Sequence, residues 1–389
     1  MGIDDLKELF LLDPDVVFLN HGSFGATPRA VFDVYQAWQA RLERQPVQFL
    51  ANELPGHLAQ ARAAMGSLVG ATADDLVLVP NATFGLNVVA RSLVLGHGDE
   101  LLTSDHEYGA CMNMWTYLSK RRGFQVVRQP LPLPLGGEDA VLEQFWQGVT
   151  PRTRAIFLSH ITSPTAVRLP VAAICARARD AGILAIIDGA HTPGQIDLDM
   201  AGIGADFYAG NGHKWLCSPK GSAFLYARAS VQPLIEPLVV GWGWGPERSV
   251  TYGSDFLDRL QWLGTNDLSA FLALPAAIQF QADQNWPAVR ARCHELLAGA
   301  LERISDLTGL PSMYSSPDDF VQMAIAPLPP LADAAALKAA LYDQFRVEVP
   351  LTQWGGRHFM RVSVQGYNSA ADIDVLYQAL ITLLPVHAA

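Results

Sequence analysis

Between residues 76 and 227, short apolar runs alternate with amphipathic stretches, and that alternation leaves few folds open to the chain. Residues 76–80, 100–104, 125–128, 155–159, 184–188, 207–209 and 223–227 read as strands. Helical patterns separate them at 84–95, 110–122, 140–146 and 171–181. Strands that alternate with helices of this length form βαβ units, whose strands lie parallel in one sheet. Several runs are apolar without a break, as strands are when helices cover both faces of the sheet. The expected class is α/β, with a mostly parallel sheet of seven strands in a large domain.

After about residue 252 the pattern changes. Long helical patterns occupy 271–284 and 286–304, followed by a strand-like run at 321–326 and a helix at 333–345 with Asp333 as its N-cap. A strand at 360–364 and a helix at 371–384 close the chain. This predicts a small α+β domain, 271–389 together with 1–14, beside a large one at 15–270. A chain of 389 residues accommodates two such units. Half of the residues are hydrophobic, enough for a substantial core.

The polar residues gather where the strands end. In an open α/β sheet, ligands sit outside the carboxyl ends of the strands. The first run ends in Asn81-Ala82-Thr83, where a helix begins. Thr83 can cap that helix or sit in its first turn, and the free N–H groups there suit a phosphate. The run at 184–188 ends in Asp188-Gly189-Ala190-His191. A carboxylate at the end of a buried strand needs a donor partner, either a helix N-terminus or the protonated ring nitrogen of a bound heterocycle. The next run ends in Gly210-Asn211-Gly212-His213-Lys214-Trp215. Most lysines lie at the surface, but one enclosed by aromatic and apolar neighbours loses solvation and becomes a nucleophilic amine. Two other strand ends carry His160 to Pro164, including Ser163, and Asp105 to Tyr108, where a flat ring can stack on a planar ligand. Arg361, inside the apolar run at 360–364, calls for an anion: a substrate carboxylate or a structural acid.

Taken together these residues resemble the class V aminotransferase-like group of fold-type I pyridoxal-phosphate enzymes. The similarity spans nearly the whole chain. It is carried in order by Asn20–Gly25 (NHGSFG), Asn81–Gly85 (NATFG), Asp105–Ala110 (DHEYGA), Ser163–Thr165 (SPT), Asp188–His191 (DGAH), Gly210–Trp215 (GNGHKW) and Arg361–Ser363 (RVS). Within that group the chain looks most like isopenicillin N epimerase-like proteins, whose relatives include carbon–sulfur lyases. The resemblance implies pyridoxal 5′-phosphate as cofactor, with Lys214 holding it as a Schiff base and moving the α-proton of an amino-acid substrate. It implies Asp188 at the ring nitrogen, and His191 and Ser163 near the phenolic oxygen. It assigns Ala82, Thr83, Asn211 and His213 to the phosphate and Arg361 to the substrate carboxylate. His106 matches the ring-stacking position, with Tyr108 close enough to compete. Thr265 would reach the phosphate of a neighbouring subunit, so a homodimer with shared sites is expected. His21 and Ser23, with Gln48 and Trp354, are candidates for the substrate pocket.

The expected chemistry is epimerisation or C–S bond cleavage, with transamination as the alternative and a non-catalytic cofactor- or amino-acid-binding protein as the reading from another class. Transfer through a persulfide is disfavoured, because the stretch 347–360 has no cysteine. Ser163 stands where the group usually has Asn. No metal is expected: Cys293-His294-Glu295 lacks a set of partner ligands, and so does the pair His106 and Cys111. A net charge of -11 argues against nucleic acid. The start of the chain has no secretory pattern, no run is apolar enough to span a bilayer, and the four cysteines have no paired spacing. A cytoplasmic protein is expected. The segment Gly241-Trp242-Gly243-Trp244-Gly245 reads equally as a loop over the site or as a packed turn.

Overall fold

The computed structural model describes residues 3–389; residues 1 and 2, assigned above to the small domain, lie outside the described residues. Its strands are β1 (Val17–Phe18), β2 (Leu76–Val79), β3 (Glu100–Ser104), β4 (Gln125–Gln129), β5 (Thr153–Ser159), β6 (Leu184–Gly189), β7 (Phe207–Asn211), β8 (Ala223–Ala227), β9 (Met323–Pro327), β10 (Val347–Glu348), β11 (Leu351–Trp354) and β12 (Arg357–Ser363).

The seven expected strands form one sheet in the order β2-β8-β7-β6-β5-β3-β4. The pairs from β4 through β7 are parallel, and β8 runs antiparallel to both its neighbours. The inner strands β3, β5, β6, β7 and β8 are buried along nearly their whole length, whereas the edge strand β4 is partly exposed throughout. This is the difference between a strand covered on two faces and one at the rim. Helices Ala82–Ser92, Gly109–Arg122, Glu138–Trp146 and Val171–Asp180 make the crossovers. The register sets Ser159 beside Asp188, and Gly189 beside Gly210, so the polar ends of β5, β6 and β7 open on one edge.

The C-terminal part holds an antiparallel sheet, β11-β12-β9, against helices Trp286–Thr308, Ala334–Phe345 and Ala370–His387. β11 was not expected. It pairs with β12 through Gly355 and Gly356, at φ 56 and φ 75, a hairpin turn that only residues tolerant of positive φ make easily. The helix expected at 271–284 is two helices, Ser269–Leu272 and Leu274–Asp283; Pro275 stands in the first turn of the second, where its missing N–H costs nothing. Asp333 caps Ala334–Phe345 as expected, accepting from the N–H groups of Ala335 and Ala336.

Candidate active site

A cavity of about 510 Å³ opens at the ends of β5, β6 and β7. Ten of the expected site residues line it: Ser23, Ala82, Thr83, Tyr108, Ser163 and Asp188, together with His191, Asn211, His213 and Lys214.

Lys214 follows β7 and keeps some exposure to the cavity, while the groups packed around its amine remove bulk water. That desolvation lowers its pKa to about 8, against the pull of the Asp188 carboxylate. The loop that carries it is held from behind. His21 Nε2 and the Cys217 N–H both meet the Lys214 carbonyl, at 2.9 and 3.0 Å. Gly25, at φ 70, lies so close that a Cβ there would come within 2.0 Å of the His213 carbonyl oxygen. Lys214 Nζ lies 3.1 Å from His191 Nε2.

Asp188 ends β6 and is buried. Oδ1 accepts the Ala190 N–H at 2.9 Å, and the Cys111 thiol lies 3.6 Å from Oδ2. Burial raises its pKa. Beside it stands a residue that the sequence did not single out. Glu107 is buried and accepts from Ser104 Oγ at 2.6 Å, Ser159 Oγ at 2.6 Å and Ser159 N–H at 2.9 Å. Burial, opposed by these bonds, pushes its carboxyl up to about 7. The only signal for it was an acid three positions past the end of β3.

At the N-terminus of Ala82–Ser92 the cap is Asn81, which accepts the Phe84 N–H at 2.8 Å; Thr83 lies in the first turn. The Ala82 N–H is taken by Asn211 Oδ1 at 2.8 Å, which ties β7 to this helix. The N–H and hydroxyl of Thr83 have no protein partner among the described residues, so they are the donors left for an anion. His213 is neutral, held to about 4 by burial, and Nδ1 is turned to the Ser222 carbonyl at 3.1 Å. Its Nε2 meets a phosphate oxygen only by sharing that oxygen's proton. Lys220, also unforeseen, reaches the rim and donates to the Gly25 carbonyl at 3.1 Å.

Arg361 lies in β12, nearly buried, and touches the cavity wall through Ser163 and Ser23. It donates to Ser163 O at 2.7 Å, Ser163 Oγ at 3.2 Å and Ser23 Oγ at 3.0 Å, and Nε is left without a partner. Burial lowers the guanidinium to about 10. No acid pairs with it among the described residues. A buried cation balanced only by neutral acceptors is a receptor for an anion.

Five further expected positions fall outside the cavity lining. His106 is fully buried, with Nδ1 on Thr165 Oγ1 at 2.7 Å, Nε2 on the Leu131 carbonyl at 2.6 Å, and its ring stacked on Trp354 at 4.5 Å. Its ring is spent on these contacts, and of the two expected stacking residues Tyr108 is the one that reaches the cavity, which Phe24 also lines. His21, expected to face the substrate, lies behind the Lys214 backbone instead, between Trp215 and Tyr367, and burial depresses it to about 3. Its neighbour Ser23 does face the cavity. Gln48 is exposed on the segment Gln48–Glu53, and Trp354 is occupied with His106 and the Asp105 carbonyl. Thr265 is exposed beside a separate groove of about 610 Å³, lined also by Val47, Leu50, Trp242, Tyr252 and Trp262.

A sequence model for class-V aminotransferases matches residues 25–376. The isopenicillin N epimerase of Amycolatopsis lactamdurans is 38% identical over 385 residues, 96% of each chain. A probable chloroplastic L-cysteine desulfhydrase of Arabidopsis thaliana is 28% identical over 95% of this chain and 83% of its own. Among solved structures, a cystine C–S lyase in complex with its product cysteine persulfide superposes with a TM-score of 0.82 at 22% identity, over 97% of this chain and 99% of that one.

Proposed function

The chain belongs to the class-V aminotransferase family, and from that premise we propose a pyridoxal-phosphate enzyme that removes the Cα proton of an amino acid. The observation that carries this reading is one cavity that holds an amine with a depressed pKa and a buried carboxylate, with a buried guanidinium behind its serines that has no acidic partner among the described residues. The residues fit that cofactor. Thr83 offers donors for its phosphate, Asp188 an acceptor for its ring nitrogen, Lys214 an amine for its aldehyde. Tyr108, rather than His106, is the ring available to lie over it. Bound there, the cofactor supplies an electron-accepting ring that stabilises negative charge at Cα.

The protein's own part follows from its groups. Arg361 takes the substrate carboxylate with two parallel N–H donors, which fixes the amino acid in place. Lys214, as a free amine, takes and returns the Cα proton. A base needs a pKa near working pH to do both, and an amine at about 8 meets that condition. Asp188 would keep the ring nitrogen of the bound cofactor protonated. The identity to isopenicillin N epimerase over nearly the whole of both chains supports return of the proton to the opposite face of Cα. The identity to a cysteine desulfhydrase supports the second outcome, loss of a sulfur group from Cβ. All four cysteines are buried, and burial pushes the thiols up, Cys217 to about 12, which speaks against a persulfide carrier.

The test is to incubate the cofactor-loaded protein in heavy water with isopenicillin N and, separately, with cysteine. Deuterium at Cα with inverted configuration and an unchanged skeleton is the epimerase result; pyruvate with sulfide is the lyase result. Accumulation of a 2-oxo acid with the amine left on the cofactor would move the assignment to transamination. Absence of any Cα exchange with either substrate would overturn the reading.

A homodimer extends the proposal. Thr265 and the apolar groove beside it, with Trp242 and Trp244 largely exposed nearby, support a second copy as the cover. No helix among the described residues is long and apolar enough to cross a membrane. Four unpaired cysteines support a reducing, cytoplasmic setting.

A further inference from the structure

Trp215 is fully buried directly after Lys214, yet it touches the amine through a third residue. Its indole Nε1 lies 3.2 Å from His191 Nδ1, and His191 Nε2 lies 3.1 Å from Lys214 Nζ. An indole nitrogen donates and never accepts. His191 Nδ1 must therefore offer its lone pair, which puts the proton of the neutral ring on Nε2. That N–H points at Lys214 Nζ. The contact is a hydrogen bond only if the amine presents a lone pair, and an ammonium has none. We propose that Trp215 is a positioning residue: it fixes the Nε2–H tautomer of His191, and His191 in turn favours the neutral amine of Lys214.

The two other arrangements fail on the same geometry. With the chain reversed, an ammonium would donate to Nε2, and Nδ1–H would face the indole N–H, donor against donor. A doubly protonated ring has the same clash at Nδ1. It is also opposed by its surroundings, since the ring is buried and the cations Lys214 and Arg361 nearby disfavour a further positive charge. Around Lys214, Asp188 and Cys111 favour the ammonium and Arg361 opposes it. The indole is itself held in place: its backbone carbonyl accepts from Gln281 Nε2 at 2.7 Å, and its ring packs against His21 at 4.9 Å. The consequence for catalysis rests on the function proposed above, because a neutral lysine is the form that joins an aldehyde or takes a proton. The protonation state does not rest on it and is measured without cofactor.

The experiment uses the cofactor-free full chain. Long-range proton–nitrogen spectra of protein labelled with ¹⁵N-histidine report each tautomer, and a His191→Gln variant assigns the signal. The pH dependence of reductive methylation at Lys214, read by peptide mass spectrometry, gives the midpoint of the amine. The expected results are, above the midpoint of the amine, a single Nε2–H tautomer for His191 and, in Trp215→Phe, a Lys214 midpoint raised by about one pH unit, the worth of one hydrogen bond. The same rise is expected when Trp215→Phe is made in the His191→Gln background, where an amide replaces the ring, and it should vanish in a His191→Leu background, where no relay exists. A purely packing role for Trp215 would shift all three backgrounds alike. An Nδ1–H tautomer in the unmodified protein above the amine's midpoint, an unmoved midpoint in Trp215→Phe, or an equal shift in the leucine background would overturn the proposal. If Trp215→Phe does not fold, the tautomer in the unmodified protein decides alone.

Discussion

Lys214 is where the cost of the site is concentrated. Burial brings its ammonium from 10.5 to about 8 in the folded protein. Between those values the unfolded chain binds more protons than the folded one, so stability rises with pH from about 8 to 10.5. Below pH 8 the full cost is present, at most about 3 kcal/mol and less by whatever solvent in the cavity returns. In the cofactor-free protein, Lys214→Met should therefore raise Tm at pH 7, with the gain fading as pH approaches 10. A lower Tm for the variant, or a gap independent of pH, would contradict this. At the residue scale, what could be read from sequence were the groups at strand ends. Asp188 and Lys214 follow uninterrupted apolar runs, so their place at the sheet edge follows from the fold itself. His106 and His21 carry the same chemistry in sequence as a site histidine, and only three-dimensional packing puts their rings behind the wall. Glu107 was hidden because its partners, Ser104 and Ser159, come from two different strands.

At the scale of elements, the site depends on the short helix His21–Phe24 seating against the Lys214 loop. Its C-cap, Gly25, combines a positive φ with backbone contact to His213 and Lys214. Gly25→Ala adds a Cβ to a conformation that L residues rarely adopt and drives it into a carbonyl that cannot yield. The variant should lose cofactor affinity by at least about tenfold, alongside a stability loss of about 1–3 kcal/mol. Absorbance titration with the cofactor and thermal unfolding measure the two; unchanged affinity would show that this contact does not position Lys214. The βαβ strands were legible because a buried parallel strand has one reading, an apolar run between helices. β11 was not: Leu351–Trp354 is half-exposed, and the glycine pair that turns it into β12 was passed over as a hairpin signal. Thr83 is legible only as either the cap or a first-turn residue of Ala82–Ser92, because Asn81 and Thr83 are both good capping types; the structure makes Asn81 the cap and leaves Thr83 in the first turn.

On the scale of the molecule, a net charge of -11 surrounds a cavity whose nearby cations are Lys214, Lys220 and Arg361. The cationic patch is local, as a small anionic ligand requires and a nucleic acid does not. The pairing of sheet and C-terminal unit brings Arg361 of β12 to the serines of the cavity wall, a contact across 198 positions of sequence that no local pattern announces. The quaternary proposal is tested by sedimentation at micromolar concentration. A species of twice the 42.2 kDa chain is expected, shifting toward the single chain in a Trp242→Glu, Trp244→Glu variant. A native single chain that binds the cofactor fully would remove Thr265 of a second copy from the site. The central claim, that Lys214 is the amine to which the cofactor is joined, is tested most directly by borohydride reduction of the cofactor-loaded protein followed by peptide mass spectrometry. The account predicts one pyridoxyl-phosphate adduct, on Lys214, and none on any lysine of Lys214→Ala. An adduct on Lys220, or a reducible linkage that survives in Lys214→Ala, would contradict it.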